Sequence, residues 1–191
     1  NFSSMNGNFK MTSVSITAPA KLNLFLHINN KRDDGYHELE TLFTFLDFGD
    51  ELTFTLTNDK IISLCGDTHG IPQHDNLIYK AALALQSYKK VPLGVNIKLI
   101  KKLPMGGGVG GGSSDAATTL LTLNTLWNCQ LTIAELANIG VKLGADVPVF
   151  IHGKTAVAQG IGEKLTPIEL PKKWYCVVFP NVHISTAEIF T

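Results

Sequence analysis

Net charge is the first thing this chain lacks, because its 16 lysines and arginines are balanced by 16 aspartates and glutamates. A protein that binds nucleic acid normally carries a surplus of basic residues, so this balance argues against a nucleic-acid partner. Charged residues make up only 17% of the sequence and hydrophobic residues 45%. This composition excludes a disordered chain and is typical of a globular protein with a sizeable core.

Cysteines and long apolar runs are also scarce. Cys65, Cys129 and Cys176 are odd in number and far apart, which excludes a disulfide framework and favours a reducing compartment. The longest uncharged run, residues 116–134, is too polar to span a membrane. The first residues show no basic stretch followed by an apolar one, so no signal peptide is expected. We therefore expect a cytoplasmic protein without membrane contact.

Glycine is abundant at one place, since six of the 17 glycines lie within residues 106–112. Such a loop is costly to order, so it needs a compensating contact. A helix is predicted directly after it, and glycine amides at a helix N-terminus bind polyphosphates well. A flexible linker is the alternative, but a linker would not lie between a strand and a helix. The residues predicted to bind the phosphates are Pro104, Met105, Gly106, Gly107, Gly108, Val109, Gly110, Gly111, Gly112, Ser113 and Ser114.

Three familiar nucleotide motifs do not fit this loop. Residues 106–111 match the spacing of the dinucleotide fingerprint, but the acid at about the right distance, Glu135, belongs to a helix capping box and not to a strand end, which argues against NAD. Residues 107–114 have Walker A spacing without its lysine. Residues 47–49 spell the DFG motif of protein kinases, yet they precede the loop and no HRD segment exists, so a strand-end turn is predicted there.

The half of the chain before the loop is rich in predicted strands. Alternation of apolar and other residues predicts strands at 14–17, 21–28, 41–46, 51–57 and 95–99, with two later strands at 156–158 and 175–179. In residues 21–28 the period of two places Lys21 and Asn23 on one face and Leu22, Leu24, Leu26 and Ile28 on the other.

Helices are predicted from capping signals and apolar stripes. Asp75 can cap a helix, and residues 113–127 show helical spacing. Thr132 and Glu135 form a capping box for a helix running to about residue 143. The stripe of the first helix consists of Ile78, Ala81, Ala82 and Leu85, and the hydrophobic staple of the last consists of Leu131 and Leu136.

Phosphoryl transfer would require one carboxylate and one cation near the loop. Asp146 is a lone acid in an apolar stretch, where it is either functional or a cap for the next turn. Lys21 is a lone cation that opens an apolar strand, where it is either functional or an edge lysine with its ammonium in water. Residue types alone do not link the two.

Four segments, 19–24, 34–39, 103–114 and 144–148, resemble the motifs of the GHMP kinase superfamily and occur in its order. The segment 34–39, DGYHEL, is similar to the branch that acts on 4-diphosphocytidyl-2-C-methyl-D-erythritol. The resemblance implies a two-domain α+β fold. Residues 13–158 would form a strand-rich ATP-binding domain, similar to the second domain of ribosomal protein S5, and residues 159–191 the beginning of a truncated C-terminal substrate domain.

The same resemblance implies roles for individual residues. Asp146 would accept the proton of the substrate's 2-hydroxyl and Lys21 would hold both groups, with Asn23 as a neighbouring polar contact. The other substrate contacts would be Tyr36, His37, Thr186 and Phe190, although the first two could close a turn and Phe190 could belong to the core.

The resemblance implies ATP and Mg²⁺ as cofactors. The sequence identifies neither the protein ligands of Mg²⁺ nor the oligomeric state. The implied reaction gives the 2-phosphate and ADP for isoprenoid precursor synthesis outside the mevalonate route. The alternatives are a related kinase acting on mevalonate, homoserine or a sugar, and an inactive nucleotide-binding fragment.

Overall fold

A computed structural model describes residues 13–31, 37–160, 162 and 164–180. The strands are β1 (Ser13–Lys31), β2 (His37–Thr57), β3 (Ile62–Gly66), β4 (Gly94–Ile100), β5 (Ala156–Gly160) and β6 (Lys164–Pro167). The α-helices are α1 (Leu77–Leu85), α2 (Gly111–Leu126), α3 (Ile133–Gly140) and α4 (Val147–His152). Short 3-10 turns occupy Gln73–Asp75 and Gln86–Tyr88.

All six strands belong to one mixed sheet organised around β2. Strand β1 runs antiparallel to β2 along almost its whole length. On the other side of β2, β4 pairs with residues 51–57 and β5 pairs with residues 39–43. Strand β3 lies parallel to β4, and α1 makes the crossover between them. Strand β6 pairs with β5 and extends the same sheet to Pro167.

The core lies between one face of this sheet and the helices. In β2, Leu52, Phe54 and Leu56 are buried and alternate with partly exposed neighbours, as the period of two predicts. Helix α2 packs against α1, α3, α4 and β1, which places the glycine loop at its start beside the sheet. The largest fully buried side chains include Trp127, Phe54, Leu52, Ile78, Leu85 and Leu120.

The turn predicted at residues 47–49 is wrong, because these residues lie inside β2. The predicted strands 41–46 and 51–57 form one continuous strand through them, as 14–17 and 21–28 do in β1. Gly49 is opposite Pro19, and a Cβ built on Gly49 would lie 1.8 Å from the carbonyl oxygen of Ala18. Glycine therefore allows the two backbones to approach within the ladder and does not mark a turn.

Two helix signals are confirmed and one is wrong by one residue. The capping box of α3 is present, with Thr132 N donating to Glu135 Oε2 at 2.8 Å. The stripe of α1 is buried, but its cap is Asn76, whose Oδ1 accepts a hydrogen bond from Ile78 N at 2.9 Å. Asp75 instead ends the preceding 3-10 turn. Helix α3 ends at Gly140, about one turn before the predicted residue 143.

One strand prediction fails, and the apolar side chains of another predicted strand are exposed. Residues 175–179 pair with no strand within the described part of the chain. In β1 the side chains of Leu24, Leu26 and Ile28 are 39%, 44% and 43% exposed, so this apolar face is not buried. The register of β1 shifts between Asn23 and Phe25, and the main core cluster contains Ala18 but none of these three residues. The helices therefore cover the first part of β1 and leave the later part open.

No helix in the described ranges has both the length and the apolar character that crossing a membrane requires. The predicted domain limits, 13–158 and 159–191, stay a prediction.

Candidate active site

A cleft of about 750 Å³ lies beside the glycine loop, and residues 104–113 all line it. Its other walls come from β1, from β2, from the turn before α4 and from the segment that leads into α1. Residues far apart in the sequence, such as Lys21, Leu77 and Asp146, therefore share one cavity. The order of elements explains this arrangement, because the loop joins β4 at the sheet to the first turn of α2.

The backbone of the glycine loop has the form of an anion-binding nest. Gly106, Gly108 and Gly110 have φ angles of 70°, 69° and 75°, and they alternate with residues of ordinary φ. Gly110 is also the N-cap of α2, and no side chain among the described residues caps that terminus. A Cβ on Gly110 would lie 2.7 Å from Phe150 Cζ. The helix thus begins with amide groups free for a ligand and a positive dipole end directed at the cleft.

The two serines after the loop have different surroundings. The Ser114 hydroxyl donates a hydrogen bond to the carbonyl oxygen of Pro19 at 2.7 Å, and the residue is fully buried. It therefore attaches α2 to β1, whereas Ser113 lines the cleft. Of the two serines predicted to contact phosphate, the structure leaves the hydroxyl of Ser113 available for that contact.

Lys21 and Asp146 are brought together at one end of the cleft. Lys21 Nζ lies 3.3 Å from Asp146 Oδ2, donates to Asn23 Oδ1 at 2.6 Å and sits 5.0 Å from the centre of the Phe43 ring. The lysine side chain is 7% exposed and the aspartate side chain 40%. The ammonium is therefore enclosed, while the carboxylate is open to the cleft.

Lys21 and Asp146 relate differently to the backbone around them. Lys21 N donates to the carbonyl oxygen of Val109 at 2.9 Å, which joins β1 directly to the glycine loop. Asp146 immediately precedes α4, yet its carboxylate makes no capping hydrogen bond to that helix among the described residues. Asp146 is thus the N-cap residue of α4 by position, but its side chain does not act as a cap among the described residues.

A second cluster of charged residues lies beside Gly111 of the loop and was missed in the sequence. Lys101 Nζ contacts Asp50 Oδ2 at 2.5 Å and Asp115 Oδ2 at 2.9 Å. Asp50 Oδ1 also accepts hydrogen bonds from the backbone amides of Lys102 and Leu103, at 2.6 and 2.8 Å. The side chains of Lys101, Asp50 and Asp115 are 10%, 0% and 4% exposed. This cluster connects β2, the end of β4 and the first turns of α2.

Burial raises the pKa of Asp115 to about 7, although the ammonium of Lys101 opposes the shift. Asp115 Oδ1 is buried without a hydrogen-bond partner in the part of the chain described. Burial would lower the pKa of Lys101, but the carboxylates of Asp115 and Asp50 outweigh it and the pKa is raised. A signal for the cluster did exist, because Asp115 is the lone charged residue of α2, as Asp146 is of its own stretch.

The residues predicted on the substrate side are only partly visible. Asn23 lines the cleft beside Lys21, as predicted from their shared face. His37 begins β2 opposite Lys31, but its side chain lies outside the described residues. Tyr36, Thr186 and Phe190 also lie outside them. Within the described ranges no three His, Cys, Asp or Glu side chains are grouped to hold a metal ion.

Comparison with known families fits this geometry. Residues 76–154 match the model of the GHMP kinases N terminal domain. Residues 76–154 are therefore a GHMP kinase N-terminal domain, and the predicted α+β fold is confirmed. A homoserine kinase from Cytophaga hutchinsonii is 18% identical with a TM-score of 0.61, covering 98% of this chain and 60% of its own, and shows the fold alone.

Two further proteins with higher sequence identity are both one kind of kinase. The 4-diphosphocytidyl-2-C-methyl-D-erythritol kinase of Pseudoalteromonas translucida (strain TAC 125) is 68% identical over 181 residues, which are 95% of this chain and 64% of that protein. A crystal structure of 4-(cytidine 5'-diphospho)-2C-methyl-D-erythritol kinase is 41% identical with a TM-score of 0.71, covering 83% of this chain and 56% of its own. The chain thus spans less than two thirds of the length of these relatives.

Proposed function

We propose that the protein carrying this chain transfers the γ-phosphate of ATP to the 2-hydroxyl of 4-diphosphocytidyl-2-C-methyl-D-erythritol, giving the 2-phosphate and ADP. The observation that carries the proposal is the Lys21–Asp146 pair, which opens into the same cleft as the glycine loop. The names of the relatives supply the substrate, and the pathway implied is isoprenoid precursor synthesis without mevalonate.

The loop is proposed to hold the triphosphate. Amides of residues 106–112 would donate to its oxygens, and the start of α2 would add the partial positive charge of the helix dipole. With the terminal phosphate directed to Asp146, the adenine ring of the nucleotide would lie toward the start of α1, where Asn76 and Leu77 line the cleft. Pro104 and Met105 border the loop on the same wall.

Asp146 is proposed to accept the proton of the acceptor hydroxyl. As the proton leaves, the oxygen forms a bond to the γ-phosphorus, and the bond from that phosphorus to the bridging oxygen of ADP breaks. Lys21, 3.3 Å away, would stabilise negative charge on the reacting oxygens. The open position of Asp146 lets an acceptor reach it, while Lys21 stays fixed behind it.

The acceptor is proposed to contact Asn23 near the reacting centre and Tyr36, His37, Thr186 and Phe190 at its cytidine end. The roles of these last four residues are proposed from the resemblance to the kinase family. A cytoplasmic location and the lack of a nucleic-acid partner likewise stay predictions from the composition.

Mg²⁺ is proposed as the accompanying ion. Among the described residues no three His, Cys, Asp or Glu side chains are grouped to hold a metal ion, and the Ser114 hydroxyl donates its hydrogen bond to Pro19. Of the two loop serines, Ser113 is therefore the one that fits as a protein ligand. Such a poor protein donor set is typical of Mg²⁺ sites that are completed by nucleotide phosphates and water. The ion would neutralise phosphate charge during transfer.

The test is coupled ADP release with 4-diphosphocytidyl-2-C-methyl-D-erythritol, mevalonate and homoserine as acceptors, together with calorimetric binding of an ATP analogue. We expect release with the cytidine compound alone. Release with mevalonate or homoserine alone would contradict the specific proposal and support a related kinase. Nucleotide binding without release would support a nucleotide-binding fragment, and the absence of binding would contradict the assignment of the loop.

A further inference from the structure

Thr41, on β2 behind the Lys21–Asp146 pair, has surroundings that no step above uses. It is 1% exposed and lies between Leu26 of β1 and Ala158 of β5 in the ladders. Its Oγ1 donates to the carbonyl oxygen of Phe25 at 2.6 Å and accepts from Asn23 Nδ2 at 2.8 Å. The hydroxyl therefore connects the backbone of β1 with a side chain of the cleft.

The direction of these hydrogen bonds follows from their chemistry. A backbone carbonyl can only accept, so the single proton of the Thr41 hydroxyl points to Phe25. The hydroxyl oxygen can then offer only a lone pair to Asn23, which must present its amide NH₂ group there. The carboxamide oxygen of Asn23 is consequently turned to the other side, where Lys21 Nζ donates to it at 2.6 Å.

The reverse orientation of the Asn23 amide would place an NH₂ group against the ammonium of Lys21. An ammonium has donors and no acceptor, so two donors would then face each other at 2.6 Å in an enclosed place. Lys21 would keep the carboxylate of Asp146 and the face of Phe43 but lose its third contact. The position of the ammonium beside Asp146 thus depends on which way the amide is turned.

We propose that Thr41 is a positioning residue that fixes the amide of Asn23 and, through it, the ammonium of Lys21 at the reacting end of the cleft. The effect on catalysis rests on the proposed kinase function, whereas the effect on the Asn23 amide does not. The two parts can therefore fail separately.

The first test measures the amide by NMR hydrogen exchange and needs no activity. In the unaltered protein we expect the side-chain amide proton that Asn23 donates to Thr41 to exchange at least about tenfold more slowly than the side-chain amide protons of Asn58, although both residues are exposed. In Thr41→Val, which keeps the shape and removes the hydroxyl, this protection is lost; in Thr41→Ser it is kept. Equal exchange for Asn23 and Asn58 in the unaltered protein would overturn the proposal even if Thr41→Val does not fold.

Thr44→Val is the matched control. Thr44 lies on the same strand and is buried, but its hydroxyl faces that of Thr155 at 3.4 Å and it does not line the cleft. We expect this variant to leave the Asn23 amide protected. Loss of Asn23 protection in both variants would show a general packing effect and overturn the specific assignment.

The second test measures turnover. Thr41→Val should lower kcat at least about tenfold with the KM for ATP within about twofold, and Thr41→Ser should restore most of the rate. In an Asn23→Ala background Thr41→Val should add little, because its route to Lys21 is already gone. Additive losses would overturn the proposal. Turnover absent from the unaltered protein, with the exchange results as expected, would contradict the proposed function and leave the positioning of Asn23 intact.

Discussion

Two lysine–aspartate clusters lie beside the glycine loop, one at Gly110 and one at Gly111, and they differ mainly in access to solvent. Within the described ranges Lys21 pairs with one carboxylate, that of Asp146, whose side chain is 40% exposed. Lys101 has two, Asp50 and Asp115, at 0% and 4%. The same residue types thus form a reactive pair where the acid faces the cleft and a structural bridge where both acids are enclosed. Burial, more than residue identity, separates the two roles.

The largest expected effect is on turnover when the open cluster loses its acid. Asp146→Asn should lower kcat by about 10²- to 10⁴-fold, because a positioned general base contributes that much. The melting temperature should fall only modestly, because the lost carboxylate is partly exposed and makes no capping hydrogen bond among the described residues, while the enclosed ammonium of Lys21 keeps Asn23 and the Phe43 ring as contacts. ADP release and a thermal melt give the two values. A loss below about tenfold would show that Asp146 is not the base.

The enclosed cluster should respond in the opposite way. Lys101→Met leaves Asp50 buried without its cation and should lower the free energy of unfolding by about 3–5 kcal/mol. Lys21→Met, the matched variant, leaves Asp146 open to water and should cost much less stability while lowering turnover. Urea unfolding of both variants measures the difference. Equal losses of stability would remove the distinction between the clusters.

Asp115 should make stability depend on pH. Its pKa is raised from 3.8 to about 7 in the folded protein, so between these values the folded state holds a proton that the unfolded state has released. The free energy of unfolding contributed by this group therefore falls as pH rises through that window and is constant above it. In Asp115→Asn the fall should be smaller, as measured by urea unfolding at about pH 5 and about pH 8. Parallel pH profiles for the two proteins would contradict the raised pKa.

The smallest effect concerns an exposed pair next to the enclosed one. Lys102 Nζ and Glu51 Oε1 are 2.5 Å apart, with side chains 38% and 43% exposed. Glu51→Gln should lower the free energy of unfolding by less than about 1 kcal/mol, and less still in high salt. Denaturation at two salt concentrations checks this. A loss of unfolding free energy as large as that of Lys101→Met would mean that burial does not determine how much an ion pair contributes to stability.

Local signals predicted much of this fold. The glycine loop before α2, the capping box at Thr132 and the buried alternation in β2 each depend on neighbours in sequence, and the structure confirms them. The shared face of Lys21 and Asn23 is confirmed for the same reason. The strands were predicted shorter than they are, because Gly49 resembles a turn until the opposing backbone is known.

Contacts between distant residues were not available from local patterns. Lys101 is separated from Asp50 by 51 residues, so no periodicity connects them. The pairing of Lys21 with Asp146 came only from the resemblance to a family. The open face of Leu24, Leu26 and Ile28 shows the same limit, since alternation identifies an apolar face but not whether another element covers it.

The hydrogen bond from Lys21 N to the carbonyl oxygen of Val109 ties the strand of the proposed catalytic lysine to the nucleotide loop. A change in the order of the loop therefore reaches the backbone of this lysine through that amide, next to the hydrogen bond from Ser114 to Pro19. The hydrogen-exchange rate of the Lys21 amide proton therefore reports the local order of the loop, and it can be measured in a protein that shows no activity.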